Sequence, residues 1–172
     1  MRKIFVTGVG IVSPVGNSIV EFLDALLQGR TGVGINDYHD TTGYRTNLVG
    51  RVRLPDWKVA KIHSGPLRRL SAIDRYALVS AAEALAMAGL SPNDLPAPHA
   101  SGIVIGNGAP SDGLESFVLA VRQGKSPQPS RLNGYTESTG ALVSREFGLR
   151  GPRTNIMTAC SSGATALGFA AD

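Results

Sequence analysis

The chain has 172 residues, of which 42% are hydrophobic and 17% charged, with a formal net charge of +4; that is the size and apolar content of one domain with a buried core. No window approaches the roughly 18 continuous apolar residues of a membrane span. The opening "MRKIFVTGVGIVSPVG" is broken by Gly and Pro and lacks a small-residue cleavage site, which excludes a signal peptide and leaves a cytoplasmic protein with no membrane partner as the expectation.

In chain order, "KIFVTG" (3–8) is a β-branched and aromatic run stopped by Gly8 and Gly10, which predicts a buried strand. In "SPVGNSIVEFLDALLQG", Asn17 or Ser18 can cap a helix whose apolar stripe is Phe22, Leu23, Leu26 and Leu27, and Gly29 suits its C-terminal stop. Residues 30–70 read as loop-rich, with a short strand at "LVGRVRL" (48–54). A basic cluster follows, comprising Lys58, Lys61, Arg68, Arg69 and Arg75. It suits an acidic partner. With only 6% aromatic residues, no zinc-ligand spacing and no basic motif interleaved with aromatics, neither nucleic acid nor a metal is expected.

Beyond it, "SAIDRYALVSAAEALAMAGLSP" opens with Ser71 and Asp74 at capping-box spacing and closes at Gly89. Its Ala-rich composition predicts a helix packed closely on more than one side. "SGIVIGNG" (101–108) is a second glycine-ended strand, and "SDGLESFVLAVRQG" (111–124) carries Leu114, Phe117, Val118 and Val121 at helical spacing. After a Pro- and Ser-containing loop (125–134), "TESTGALVSREFGL" predicts a helix, "RGP" a turn, "TNIMTA" a strand and "SSGATALGFAA" a further helix. Alternation of strands and helices predicts an α/β layered domain with a largely parallel sheet.

Three glycine-bearing or small-residue strand ends compete for the chemistry. "GVGIVSPVG" has Ser13 where a dinucleotide fingerprint needs its third Gly, and no acidic residue closes a second strand, so a tight turn is the better reading. "GNGAPSDG" lacks the G-K-[ST] ending of a phosphate loop. The third is "TNIMTACSSGATALG" (154–168), which holds the single cysteine, Cys160. A lone Cys forms no internal disulfide, so it is a small buried hydrophobe or a reactive thiol. If a strand ends at Ala159 and a helix begins at Ser161, Cys160 sits at a helix N-terminus, where unpaired N–H groups and the helix dipole favour the thiolate and can receive an oxyanion. Ala159, Ser161, Ser162, Gly163 and Ala164 are small enough to admit a substrate. Spacing alone leaves both readings open.

The ordered set "VTGVGIVSPVGN", "RRLSAIDRYALVSAAEALAMAGL", "IVIGNG", and "GLRGP" followed by "TACSSG" resembles the β-ketoacyl synthases, the condensing enzymes of fatty-acid and polyketide assembly, over essentially the whole chain. The resemblance implies a thiolase-like fold, of which residues 1–172 would be an incomplete N-terminal part that stops inside the nucleophile helix, its mixed or mostly parallel sheet flanked by helices. It implies that Cys160 takes an acyl group from acyl carrier protein, its own backbone N–H forming part of the oxyanion hole, and that the acyl group is condensed with malonyl carrier protein as carbon dioxide leaves. Two His and a Lys serve that second step in the family, in a second half not matched here; His39, His63 and His99 fit none of these motifs and read as surface residues.

Further expectations follow from the same resemblance. Ala109 stands where elongating relatives often carry a bulky gate beside the nucleophile, and together with Ala159 and Ser161 it would contact the acyl substrate. Lys61, Arg68 and Arg69 would meet the carrier protein, no cofactor is required, and the protein would be a homodimer or pair with a related ketosynthase subunit. The region 130–149 departs from the family pattern, which leaves chain-length preference open. The alternatives are a thiolase-fold acyltransferase that uses coenzyme A thioesters, and a non-catalytic partner subunit.

Overall fold

A computed structural model describes residues 3–37, 40–63, 65, 70–91, 95, 97, 99–108, 118–126 and 136–172, with side chains left undescribed at 136–138. Its elements in chain order are α1 (Ile19–Leu27), β1 (Val33–Ile35), β2 (Leu48–Gly50), α2 (Asp56–Ala60), α3 (Ala72–Met87), β3 (Ile103–Gly106), α4 (Thr136–Glu146), β4 (Arg153–Ile156) and α5 (Ser162–Ala171). Residues 118–122 are also helical.

The helix ends follow the local chemistry of the sequence. Ser18 caps α1 by accepting from the Glu21 N–H. At α3 the capping box is complete: Ser71 Oγ accepts from Asp74 N–H, and an Asp74 carboxylate oxygen accepts from Ser71 N–H. Gly29, Gly89, Gly124 and Gly148 all adopt positive φ just past a helix, the conformation that costs glycine nothing. After α1, Arg30 N–H bonds Ala25 O and Gly29 N–H bonds Leu26 O; after α3, Leu90 N–H bonds Leu85 O and Gly89 N–H bonds Ala86 O, the paired bonds of a Schellman stop.

β3 and β4 pair in parallel, with Ile103 opposite Arg153 and Gly106 opposite Ile156. Both α4 and α5 pack on this pair. The two-residue period of a strand assigns them to opposite faces: Ile103 and Ile105 approach Gly140 of α4, whereas Gly106 lies against the start of α5. A local α/β/α sandwich results. α3 packs on α4 and α2 on α3, enclosing Val59, Leu78, Val79, Val143 and Phe147, so the buried core is mainly interhelical. A buried polar link joins its two long helices, because Thr139 Oγ1 donates to Asp74 Oδ1 at 2.7 Å while Asp74 is only 3% exposed.

Several expectations are corrected. Among the described residues the strands form two separate two-stranded sheets, and β1 and β2 pair antiparallel, so the largely parallel sheet reduces to the β3–β4 pair. The first predicted strand joins no ladder and is not buried, since Ile4, Phe5 and Val6 are all exposed. Its glycines instead bring backbone against backbone: a Cβ on Gly8 would fall 2.0 Å from Ala84 O, and one on Gly10 1.9 Å from Ser80 O. The segment therefore lies across α3, as the Ala-rich helix permits, and Glu83 fastens the chain beyond it by accepting from Ile11 N–H and Ile19 N–H. The α1 stripe is not a core face: Leu23, Leu26 and Leu27 are exposed and Phe22 is half-buried, with only Ala25 buried, because no described helix or strand packs closely over it. The loop-rich segment contains β1 and α2, neither predicted, and its strand covers only Leu48–Gly50. His63 is not a surface residue: it is 8% exposed, with Nδ1 3.4 Å from Glu146 Oε2. His99 is exposed as expected, and His39 lies outside the described residues.

Candidate active site

The predicted nucleophile lies where β4 hands over to α5. The strand ends at Ile156, and a single 3₁₀ turn, Ala159–Ser161, leads into the α-helix at Ser162. Cys160 is thus the middle residue of the turn, two positions before the α-helix rather than immediately before it. It is a free, exposed thiol, which removes the buried-hydrophobe reading. Ala159 has φ +51° and is the one described non-Gly residue in the left-handed region, a conformation that costs an L-residue about 1–2 kcal/mol. The chain reverses sharply there and presents the following residue outward.

Hydroxyls knit the turn together. Ser161 N–H bonds Thr158 O, and Ser161 Oγ donates to Thr158 O at 2.8 Å. Thr165 Oγ1 donates to Ser161 O at 2.9 Å. Ser162, 3% exposed, accepts from Thr158 N–H and reaches the carbonyls of Ala159 and Asn107. Glycine on the neighbouring strand makes room for this arrangement. A Cβ on Gly106 would lie 2.5 Å from Ser162 O, and one on Gly108 3.3 Å from Ala159 O. "GNG" at the end of β3 is therefore a platform against which the nucleophile turn is pressed, a role that neither a phosphate loop nor a simple strand stop describes. Its signal was a G-x-G at a strand end, but its partner in space lies fifty residues further along the chain. Among the described residues, a Cβ on Gly163 would meet nothing within 4 Å outside its own helix backbone.

Of the other predicted site residues, Ala159 and Ser161 flank Cys160 in the same turn. Lys61 lies just past α2, its ammonium 4.9 Å from the Trp57 ring centre, with Lys58 5.8 Å from the same ring. Trp57 is itself exposed, so Lys58 and Lys61 share an aromatic ring on a different element from the thiol. Ala109, Arg68 and Arg69 lie outside the described residues. Among the described residues no three His, Cys, Asp or Glu side chains gather as a metal site, and no helix is long and apolar enough to cross a membrane. A cavity of about 310 Å³ opens between the 13–17 turn, α1 and the β1–β2 hairpin, where Asn17, Glu21, Asp37, Arg51 and Arg53 line it. It contains none of the predicted site residues.

An exposed thiol on a tight strand-to-helix turn, pressed against a glycine platform in an α/β sandwich, defines a thiol-presenting α/β domain. The chain belongs to the β-ketoacyl synthase family: the family's N-terminal domain matches residues 1–172. It is similar to the 3-oxoacyl-[acyl-carrier-protein] synthase 2 of Coxiella burnetii (strain RSA 493 / Nine Mile phase I), with 30% identity over 99% of this chain and 42% of that protein. The protein of the same name from Staphylococcus aureus (strain N315) is 29% identical over 98% of this chain and 41% of its own length. The chain thus spans about two fifths of these curated relatives. Among solved structures, a β-ketoacyl synthase from Burkholderia phymatum STM815 matches with a TM-score of 0.79 and 23% identity, covering 99% of this chain and 43% of that one. The ishigamide ketosynthase/chain length factor matches with a TM-score of 0.75 and 21% identity over 89% of this chain and 39% of its own. These likenesses establish the thiolase-like α/β fold.

Proposed function

We propose that the protein is a β-ketoacyl synthase in which Cys160 is the acyl-accepting nucleophile. The observation that carries this reading is the exposed Cys160 thiol on the Ala159–Ser161 turn, in a chain that belongs to the β-ketoacyl synthase family. The thiolate attacks the carbonyl carbon of an acyl thioester, and backbone N–H groups at the turn, that of Cys160 among them, receive the charge developing on oxygen. Collapse of the tetrahedral intermediate breaks the carbon–sulfur bond to the carrier, whose sulfur leaves as a thiolate and takes up the proton that Cys160 gave up on ionising, and the acyl group remains on Cys160. In the second step a malonyl thioester loses carbon dioxide, and its α-carbon attacks the Cys160 thioester. The carbon–sulfur bond to Cys160 breaks, regenerating the thiolate and releasing a β-ketoacyl thioester. The acid–base groups for that step are the two His and the Lys that the family resemblance implies outside residues 1–172.

The acyl donor in this reading is acyl carrier protein, met by Lys61, Arg68 and Arg69. Support comes from the relatives' names and from a similar complex, described as a type II polyketide acyl-carrier protein bound to its ketosynthase, which matches with a TM-score of 0.74 at 24% identity. The protein works as a homodimer or with a related ketosynthase subunit, in the cytoplasm, without a cofactor; Ala109 with Ala159 and Ser161 borders the acyl chain. The test is acyl transfer to the full-length protein from acyl carrier protein and, separately, from acyl-coenzyme A, read by intact-protein mass spectrometry. A mass increase mapped to Cys160, faster from carrier protein and abolished by Cys160→Ala, is the expected result. Preference for coenzyme A would make it a thiolase-fold acyltransferase, and a thiol that takes no acyl group from either donor would make it a non-catalytic partner subunit.

A further inference from the structure

Ser162 is the first residue of α5, a position from which a serine side chain usually faces its own helix or solvent. Here the helix takes no side-chain cap from Ser161, and the Ser162 hydroxyl turns away from the helix amides. It accepts from Thr158 N–H at 2.9 Å and lies 2.7 Å from Ala159 O and 3.0 Å from Asn107 O, its single proton shared between these two carbonyls. One buried hydroxyl therefore joins the end of β3 (Asn107), the exit of β4 (Thr158) and the left-handed residue that precedes the thiol (Ala159). No other hydroxyl of the turn reaches β3 among the described residues: Ser161 and Thr165 bond only within 158–165.

We infer that Ser162 is a positioning residue for the nucleophile, holding the Ala159 carbonyl and the Thr158 amide so that Cys160 is presented at a fixed height above the end of β3. The inference rests on the reading of Cys160 as the acyl acceptor and deepens it: Ser162 touches neither substrate nor sulfur in this role but fixes the turn that carries the sulfur. Without the hydroxyl, the Thr158 amide loses its acceptor and two carbonyls lose their shared donor, so the turn gains freedom to relax away from the left-handed conformation at Ala159. A nucleophile displaced by a fraction of an ångström loses rate with little change in how substrate binds.

The test compares Ser162→Thr with Ser162→Val, which are equal in shape and differ only in the hydroxyl, alongside Ser162→Ala. In the full-length protein, single-turnover acylation of Cys160 by a butyryl N-acetylcysteamine thioester is followed by mass spectrometry. The expected result is an acylation rate constant about 10- to 100-fold lower in Ser162→Val and Ser162→Ala, an apparent KM within about twofold of wild type, and Ser162→Thr restored to within a few-fold of wild type. Equal rates in the Thr and Val variants would overturn the inference, whether both are fast or both slow, since shape alone would then set the rate. Absence of acyl uptake by the wild type would overturn the synthase reading itself, and wild-type rates in all three variants would remove Ser162 while leaving that reading intact.

Discussion

Gly106 offers a graded test of how firmly the nucleophile turn is pressed against β3. A methyl group there would stand 2.5 Å from Ser162 O, 2.7 Å from Ser162 C and 3.0 Å from Gly163 Cα. These are backbone atoms of the first turn of α5, which no rotamer change can move aside. Ordinary contact begins near 3.4 Å, so Gly106→Ala forces the start of the helix back by about 0.9 Å. A displacement near 1 Å at a reacting centre costs up to about 100-fold in rate, and overpacking of this kind costs about 1–3 kcal/mol of stability. Gly108 provides the milder step, because its added Cβ would lie 3.3 Å from Ala159 O, within the few tenths of an ångström that a turn can yield. Single-turnover acylation of Cys160 and thermal melting of the full-length variants measure both quantities. The expected order is wild type, Gly108→Ala within a few-fold, then Gly106→Ala slower by about one to two decades and lower in melting temperature. A Gly106→Ala protein that acylates and melts like wild type would refute the platform argument.

Thr139→Val removes the donor to the buried Asp74 carboxylate and should lower the denaturant midpoint by an amount equivalent to about 1–3 kcal/mol with an unchanged slope; an unshifted midpoint would show that the link between α3 and α4 is replaceable. Reversing charge at Lys61, Arg68 and Arg69 to Glu should slow acyl transfer from carrier protein far more than from a small thioester, and the difference should shrink at high salt. Equal losses from both donors would exclude the cluster as a docking surface. The exposed Asp40 carboxyl is held below its ordinary value by the Thr42 hydroxyl and then by the Thr42 amide. Because the folded-state value is the lower one, this turn is favoured above the unfolded value and is lost as pH falls through the folded value. Thr42→Val should therefore move the Asp40 titration partly back upward in a carboxyl-detected NMR titration, and no movement would assign the depression to the backbone alone.

The sequence was most legible where structure is local. Ser71 and Asp74 announce the start of α3 three residues apart, Gly29 and Gly89 mark helix ends, and the apolar run before Cys160 leads directly into a turn of tiny residues. Legibility failed where the partner is distant in the chain. Gly8 and Gly10 look like strand terminators because a glycine's neighbours in sequence say nothing about Ala84 and Ser80 lying against it in space. His63 looks like a loop histidine until α4 brings Glu146 beside it. The exposed stripe of α1 has the periodicity of a core helix, yet no described helix or strand packs closely over it. For the candidate site, the thiol and its flanking residues could be read from the sequence, whereas the platform of Gly106 and Gly108 and the three-way bond of Ser162 depend on a parallel pairing that no local pattern encodes.

That pairing also bears on the order in which the chain can assemble. Gly106 and Ile156 are partners fifty residues apart, and contacts of such separation form only after the intervening chain has been gathered in, which makes parallel pairs slow to close. Without that pairing the turn at Ala159–Ser161 has no platform. The special presentation of Cys160 thus depends on a pairing between strands far apart in the chain. Any opening that parts β3 from β4 should therefore release the thiol's turn as well, since Ser162 bonds both Asn107 beyond β3 and Thr158 beyond β4.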